Sequence, residues 1–131
     1  MSSTIDEVIS AFYSAFDNRG GRRLTPETLR ALFIPEARIT RVSAAAVESW
    51  SVDEFITPRA AMLSDGTLTE FHEREIDAWT TALDHIASRH SFYEKSGTMR
   101  GQPYAGRGRK FIQLCRVDDA WRITAMLWED E

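Results

Sequence analysis

The first half of the chain carries apolar residues at the spacing of amphipathic helices. A helix over residues 5–17 is predicted from five apolar residues that share one helical face: Ile5, Val8, Ile9, Phe12 and Phe16. Thr4 and Glu7 have the spacing of a capping box at its start. A second helix is predicted to begin at Pro26, since proline is favoured at the first helical position, and Pro35 is expected to end it.

The segment after the second helix predicts a small strand pair and a third helix. Residues 37–42 have the pattern of a short strand, and we expect residues 45–50 to pair back on it. Ser51 and Glu54 form another capping-box pattern, which opens the third helix. Pro58 is expected to kink or split that helix, because proline removes a backbone donor and its ring clashes with the preceding turn.

The pattern changes to long strands from residue 68 onward. Four segments alternate or are rich in strand-forming residues: 69–79, 84–95, 104–117 and 121–129. Three helices with a small strand pair, followed by four antiparallel strands, predict an α+β fold in which the helices cover one face of a curved sheet. The other face of that sheet is then either solvated or covered by a partner.

Composition narrows the function classes. A chain of 131 residues with 43% hydrophobic residues fits one domain with its own core, residues 1–131. The formal net charge of -4 argues against a nucleic-acid binder, which carries a basic face. A basic cluster at Arg107, Arg109 and Lys110 is interpreted as solvated charge on a strand edge, with a phosphate site as the alternative.

The cysteine count and the first residues bear on location. The single cysteine, Cys115, excludes an intrachain disulfide, which fits a reducing cytoplasm. The first ten residues lack the basic and apolar regions of a signal peptide, and no apolar run approaches the length of a membrane span. A cytoplasmic protein without membrane or nucleic-acid partners is expected.

The last two strands are apolar on both faces. If Val117 pairs with Arg122 across a four-residue turn, one face carries Phe111, Gln113, Cys115, Thr124, Met126 and Trp128. The other face then carries Ile112, Leu114, Ile123, Ala125 and Leu127. A hairpin with two apolar faces needs a cover on each side, so we expect helices on one side and a second subunit on the other. This predicts a homodimer through the outer sheet face.

Three segments resemble the nuclear transport factor 2-like superfamily: AFYSAFDNRG at 11–20, LFIPEARIT at 32–40, and IQLCRVDDAWRITAMLWEDE at 112–131. Its members include ketosteroid isomerase, limonene epoxide hydrolase and the SnoaL-type polyketide cyclases, and the resemblance is nearest to uncharacterised single-domain members. It implies a cystatin-like α+β barrel, in which a cone-shaped curved antiparallel sheet packs on three N-terminal helices. It also implies a largely apolar pocket inside the cone and no cofactor.

The catalytic residues of the ketosteroid isomerases are not present at the matching positions of this sequence. Ketosteroid isomerases use an aspartate base near the first strand, a tyrosine on helix 1 and a protonated aspartate in the penultimate strand. The matching positions here hold Arg41, Phe12 (with Tyr13 next to it) and Gln113. Because an arginine stays protonated near neutral pH, Arg41 cannot act as that base.

Two candidate sets for chemistry remain in the strands. His72 is a candidate general base, with Glu73 beside it, since histidine titrates in the working range; a histidine at the surface or at an interface is the alternative. Glu73, Glu75 and Asp77 alternate on one face and can divide acid and base roles, although a solvated strand of mixed charge gives the same pattern. The spacings of the three histidines match no metal template, so no metal is expected.

The predicted ligand-binding residues are Tyr13, Arg41, Arg89, Gln113 and Trp128. Arg41 and Arg89 either hold a ligand carboxylate, pair with an internal acid or are exposed at the rim. The amide of Gln113 either orients a ligand carbonyl or bonds to a neighbouring polar group. Tyr13 and Trp128 are expected to form pocket walls.

These residues predict a pocket for a small apolar or carboxylate-bearing molecule, with isomerase-, cyclase- or dehydratase-type chemistry. A non-catalytic ligand-binding module and a dimeric interaction module are the alternatives.

Overall fold

The computed structural model describes residues 3–131, which form three α-helices, one 3-10 turn and six strands. The helical elements are α1 (Ile5–Ser14), a 3-10 turn (Arg19–Gly21), α2 (Pro26–Arg30) and α3 (Val52–Ser64). The strands are β1 (Phe33–Val42), β2 (Val47–Trp50), β3 (Leu68–Ala82), β4 (Ile86–Met99), β5 (Gln102–Val117) and β6 (Ala120–Asp130). They form one sheet in the order β2-β1-β6-β5-β4-β3, antiparallel except for the parallel pair β1 and β6.

The capping boxes begin α1 and α3 as predicted. The Glu7 backbone N–H donates to Thr4 Oγ1 (3.1 Å), and the Glu54 N–H donates to Ser51 Oγ (3.2 Å). Helix α3 continues through Pro58, so the predicted split is wrong. The side chain of Pro58 is exposed.

The first strand begins earlier than the sequence suggested. Pro35 does not end a helix; it lies inside β1, which starts at Phe33. The pairing of β1 with β6 is irregular between Phe33 and Arg38. A proline is tolerated in that stretch because its missing N–H interrupts no regular ladder of hydrogen bonds.

The final hairpin differs from its predicted register, and the difference decides which residues face inward. Val117 pairs with Ala120 across a two-residue turn. Thr124 is an extra residue on β6, because Leu114 pairs with Ile123 whereas Gln113 pairs with Ala125.

Beyond that bulge the alternation of β6 is shifted by one residue. Met126 and Trp128 are buried on the inner face, opposite Ile112 and Lys110. Gln113 is exposed on the outer face. The predicted grouping of Gln113 with Met126 and Trp128 is therefore wrong.

Candidate functional site

A cavity of about 230 Å³ lies between the helices and the inner face of the sheet. Its apolar wall consists of side chains from α1 and the turn after it, from α3 and from the four long strands: Phe12, Phe16, Phe55, Met62, Leu63, Leu68, Phe71, Met99, Tyr104, Met126 and Trp128. Six charged side chains complete the lining: Arg41, Arg59, Glu73, Lys95, Lys110 and Asp130. A mostly apolar cavity with a few convergent polar groups is the usual form of a small-molecule site.

The innermost charged residues of the cavity are Glu73 and Lys110. Their side chains are 10% and 5% exposed, and Lys110 Nζ lies 3.2 Å from Glu73 Oε2. The ammonium also lies 3.7 Å from the Tyr93 ring centroid and 5.2 Å from that of Trp128. Burial lowers the pKa of Lys110, and the charge of Glu73 opposes that shift.

Lys110, like Gln113, is a residue that sequence reasoning placed on the wrong side of the sheet. It belongs to the cluster interpreted as solvated edge charge, yet it is 4% exposed, whereas Arg107 and Arg109 are exposed. Successive side chains of a strand point to opposite faces, so Lys110 shares the inner face with Ile112 and Leu114. This alternation is the sequence signal from which the inward position of Lys110 could have been predicted.

A second charged group forms around Asp130 at the end of β6. Its carboxylate accepts hydrogen bonds from the Tyr93 hydroxyl, Lys95 Nζ (3.1 Å) and Arg41 Nη2 (3.1 Å). Burial pushes the pKa of Asp130 up, but the Tyr93 hydrogen bond and the Lys95 charge outweigh it and hold that pKa below its usual range. A Cβ at Gly108 would lie 2.5 Å from the Tyr93 hydroxyl oxygen, so only glycine allows this close approach.

Arg59 on α3 also lines the cavity, and no sequence pattern pointed to it. Its guanidinium carbon lies 4.1 Å from the Phe55 ring centroid and 4.8 Å from that of Trp50. Burial, followed by the neighbouring charge of Arg41, lowers the pKa of Arg59 to about 10. Arg59 therefore still carries its charge at neutral pH.

Three predicted site residues line the cavity: Glu73, Arg41 and Trp128. Glu73 and Trp128 are buried in its wall. Arg41, with a 41% exposed side chain, lies at the rim, where it pairs with Asp130 and more distantly with Glu48 (3.8 Å).

The other predicted residues lie elsewhere. His72 is adjacent to Glu73 in sequence but does not line the cavity. Gln113 is exposed on the outer sheet face, so it cannot orient a ligand inside the cone. Arg89 pairs with Glu75 and with Asp6, which corresponds to the internal pairing that the sequence left as an alternative.

Tyr13 belongs to a chain of hydrogen bonds behind the cavity. Its hydroxyl lies 2.7 Å from Ser91 Oγ, and Ser91 donates to Glu75, which also accepts from Arg89. Burial raises the pKa of Tyr13 above its usual value, so the phenol stays protonated. The ring of Tyr13 is 5.6 Å from Lys110 Nζ and therefore supports the buried amine from behind.

The part of the chain that the structure describes carries neither a metal-binding cluster nor a membrane-spanning helix. Within residues 3–131, no group of three or more histidine, cysteine or acidic side chains is placed to hold a metal ion. In the same part of the chain, no helix combines the length and apolar character needed to span a bilayer.

Solved structures that superpose on almost the whole chain decide the fold. A nuclear transport factor 2-like superfamily protein from Salmonella enterica superposes with a TM-score of 0.75 at 15% identity, covering 95% of this chain and 86% of that one. The protein has the nuclear transport factor 2-like fold. The fold class predicted from the sequence is therefore confirmed.

Two further solved structures superpose on almost the whole chain. A protein of unknown function with a cystatin-like fold from Nostoc punctiforme gives a TM-score of 0.70 at 14% identity, covering 100% of this chain and 96% of that one. A candidate scytalone dehydratase from Novosphingobium aromaticivorans gives 0.75 at 13% identity, covering 97% and 81%. No family model and no curated protein matches the sequence. Identities this low carry the fold alone, so the chemistry rests on this chain's own residues.

Proposed function

We propose that the cavity binds a small, largely apolar molecule and that Glu73 and Lys110 carry out cofactor-independent proton transfer on it. The observation that carries this proposal is the pairing of a buried carboxylate with a buried ammonium, 3.2 Å apart, in the wall of an apolar cavity. A positioned base next to a group that stabilises negative charge can serve isomerizations, cyclizations and dehydrations. One structural neighbour is named as a candidate scytalone dehydratase, and dehydration is one of these reactions.

The pair divides the work between a base and an electrophile. Glu73 removes a proton from a carbon next to a ligand carbonyl, and the electron pair of the broken C–H bond moves onto the carbonyl oxygen. The ammonium of Lys110 stabilises the enolate oxygen that develops, which it does strongly because the surrounding rings exclude water. Glu73 then returns the proton to another carbon, or to a hydroxyl that leaves as water.

Hydrogen–deuterium exchange tests this function without knowledge of the natural substrate. The protein in D₂O should accelerate the loss of α-proton NMR signals from a small ketone, with 2-tetralone and phenylacetone as probes. Exchange at the buffer rate with both ketones would favour the second candidate function, binding without turnover. That candidate is favoured by Arg59, a cavity cation whose role does not require a reaction.

We also propose that a second copy of the chain covers the outer sheet face. Trp79, His90 and Phe111 form a ladder across β3, β4 and β5, with ring centroids 4.8 and 4.7 Å apart. Leu127 on β6 continues this strip, and Trp79, Phe111 and Leu127 are each more than 40% exposed. An apolar strip across one sheet face favours association with the same strip of another copy.

Light scattering after size exclusion tests the dimer. The wild-type protein should give about twice the mass of 14.9 kDa, and Phe111→Glu should give the monomer mass, because a charge in a desolvated interface is costly. Val47→Glu is the matched control, since Val47 is exposed on the edge strand β2. A wild-type monomer, or a Phe111→Glu dimer, would contradict the proposed interface.

A further inference from the structure

Arg59 is held by aromatic rings rather than by an acid. Its guanidinium carbon lies within 6 Å of three ring centroids, those of Phe55 (4.1 Å), Trp50 (4.8 Å) and Trp128 (5.7 Å). These rings come from α3, β2 and β6, and the rings of Trp50 and Trp128 stack 5.7 Å apart. The guanidinium is therefore fixed in direction before any ligand arrives.

Arg59 is also the cavity cation without an ionic partner. Arg41 and Lys95 pair with Asp130, and Lys110 pairs with Glu73. Among residues 3–131, no carboxylate oxygen comes within 4.0 Å of the Arg59 guanidinium, whose one protein hydrogen bond runs from Nη1 to the Phe55 carbonyl (3.0 Å). Its Nε and Nη2 donors have no protein acceptor among these residues, and Arg59 lines the cavity.

The charge balance of the lining points the same way. Four cations and two carboxylates line the cavity, and Glu48 adds a third carboxylate from outside it, 3.8 Å from Arg41. One positive charge is then left over, which a ligand with a single negative charge would balance. A carboxylate matches this charge, and its two oxygens match the paired donors of a guanidinium.

We propose that Arg59 is an anion-binding subsite of the cavity and that the ligand is a small carboxylic acid with a flat apolar body. The inference rests on the proposed function only in placing the ligand in the same cavity. Trp128 connects the two ends of this site, since Arg59 lies 5.7 Å and Lys110 Nζ 5.2 Å from its ring centroid. When the carboxylate of the ligand binds Arg59, the apolar body of the ligand therefore lies along Trp128. The far end of that body is directed toward Glu73 and Lys110.

The volume limits the size of this acid. At about 230 Å³ the cavity is smaller than the roughly 300–1,000 Å³ of sites for drug-sized ligands. A molecule of one or two fused rings with one carboxylate is the expected class.

Calorimetric titration with 2-naphthoate and with its neutral counterpart, 2-naphthalenemethanol, tests the subsite. The wild-type protein should bind the carboxylate about 10- to 100-fold more tightly than the alcohol, as expected for hydrogen bonds to a charged group. Arg59→Met should remove this preference, and Arg59→Lys should keep part of it. Arg38→Met is the matched control, because Arg38 is exposed on β1 and bonds to Ser49 outside the cavity.

Equal affinity of the wild-type protein for the acid and the alcohol would overturn the proposal, and so would a full preference in Arg59→Met. If Arg59→Met does not fold, the wild-type ligand pair and Arg59→Lys decide the outcome. 2-Naphthoate has no proton on a carbon next to a carbonyl, so its binding does not depend on turnover. A carboxylate preference without ketone exchange would therefore support the subsite and contradict only the proposed proton transfer, whereas exchange without the preference would contradict only the subsite.

Discussion

Replacing Glu73 with glutamine is expected to lower the rate of ketone hydrogen–deuterium exchange by a factor of about 10²–10⁴. The amide keeps the size of the side chain and can still accept a hydrogen bond from Lys110, but it cannot take up a proton from carbon. The rate is measured by α-proton NMR in D₂O with 2-tetralone, and tryptophan fluorescence verifies that the variant is folded.

Two neighbours of Glu73 on the same strand provide the controls. Asp77→Asn removes an exposed carboxylate, and His72→Gln removes the histidine that the sequence offered as a rival base. Neither residue lines the cavity, so both variants should exchange at the wild-type rate. If His72→Gln lost exchange while Glu73→Gln kept it, the assignment of the base would be wrong.

The second large effect concerns stability. Glu73→Ala should lower the free energy of unfolding by about 3–5 kcal/mol, because it leaves the charge of Lys110 buried without a partner. Replacing both residues, with Glu73→Leu and Lys110→Met, should recover most of that loss, since apolar side chains of similar volume need no pairing. Urea unfolding gives the free energy of unfolding of the wild type, of Glu73→Ala and of the double variant. A double variant no more stable than Glu73→Ala would contradict this explanation.

The pH dependence of Glu73→Ala follows from Lys110. Burial lowers the pKa of Lys110 in the folded protein, and the charge of Glu73 opposes that shift. Glu73→Ala removes this opposing charge. The unfolded chain then binds more protons than the folded one between the lowered pKa and about 10.4, the usual lysine value. The stability of Glu73→Ala should therefore rise with pH up to that value, more steeply than the wild type, and the rise should vanish when Lys110 is also Met.

Local signals predicted much of the fold. The capping boxes at Thr4 and Ser51 depend only on residues three apart, so the starts of α1 and α3 were visible in the sequence. The cone shape of the sheet was predicted from the family resemblance and not from local signals. The bulge at Thr124 was not visible, because both faces of β6 are apolar and a shift by one residue leaves that pattern unchanged. This is why Gln113 was placed inside the cone together with Trp128.

The charged residues of the site were likewise predicted only where a local pattern or the family resemblance pointed to them. Glu73 was found because acidic residues alternate along its strand, and Arg41 because the family resemblance aligns it with the base position of the isomerases. Lys110 could have been found from its spacing to Ile112, but the exposed arginines around it suggested an edge. Arg59 had no signal, since the rings that hold it come from three elements far apart in sequence.

The most direct test of the functional cavity uses its methionines. Met62, Met99 and Met126 are three of the chain's four methionines, and all three line the cavity. In protein labelled with ¹³C-methyl methionine, titration with 2-naphthoate should shift these three methyl resonances with one common dissociation constant. The indole N–H resonance of Trp79 on the outer face should stay in place. Shifts at Trp79 with unchanged Met62, Met99 and Met126 would contradict a ligand site inside the cone.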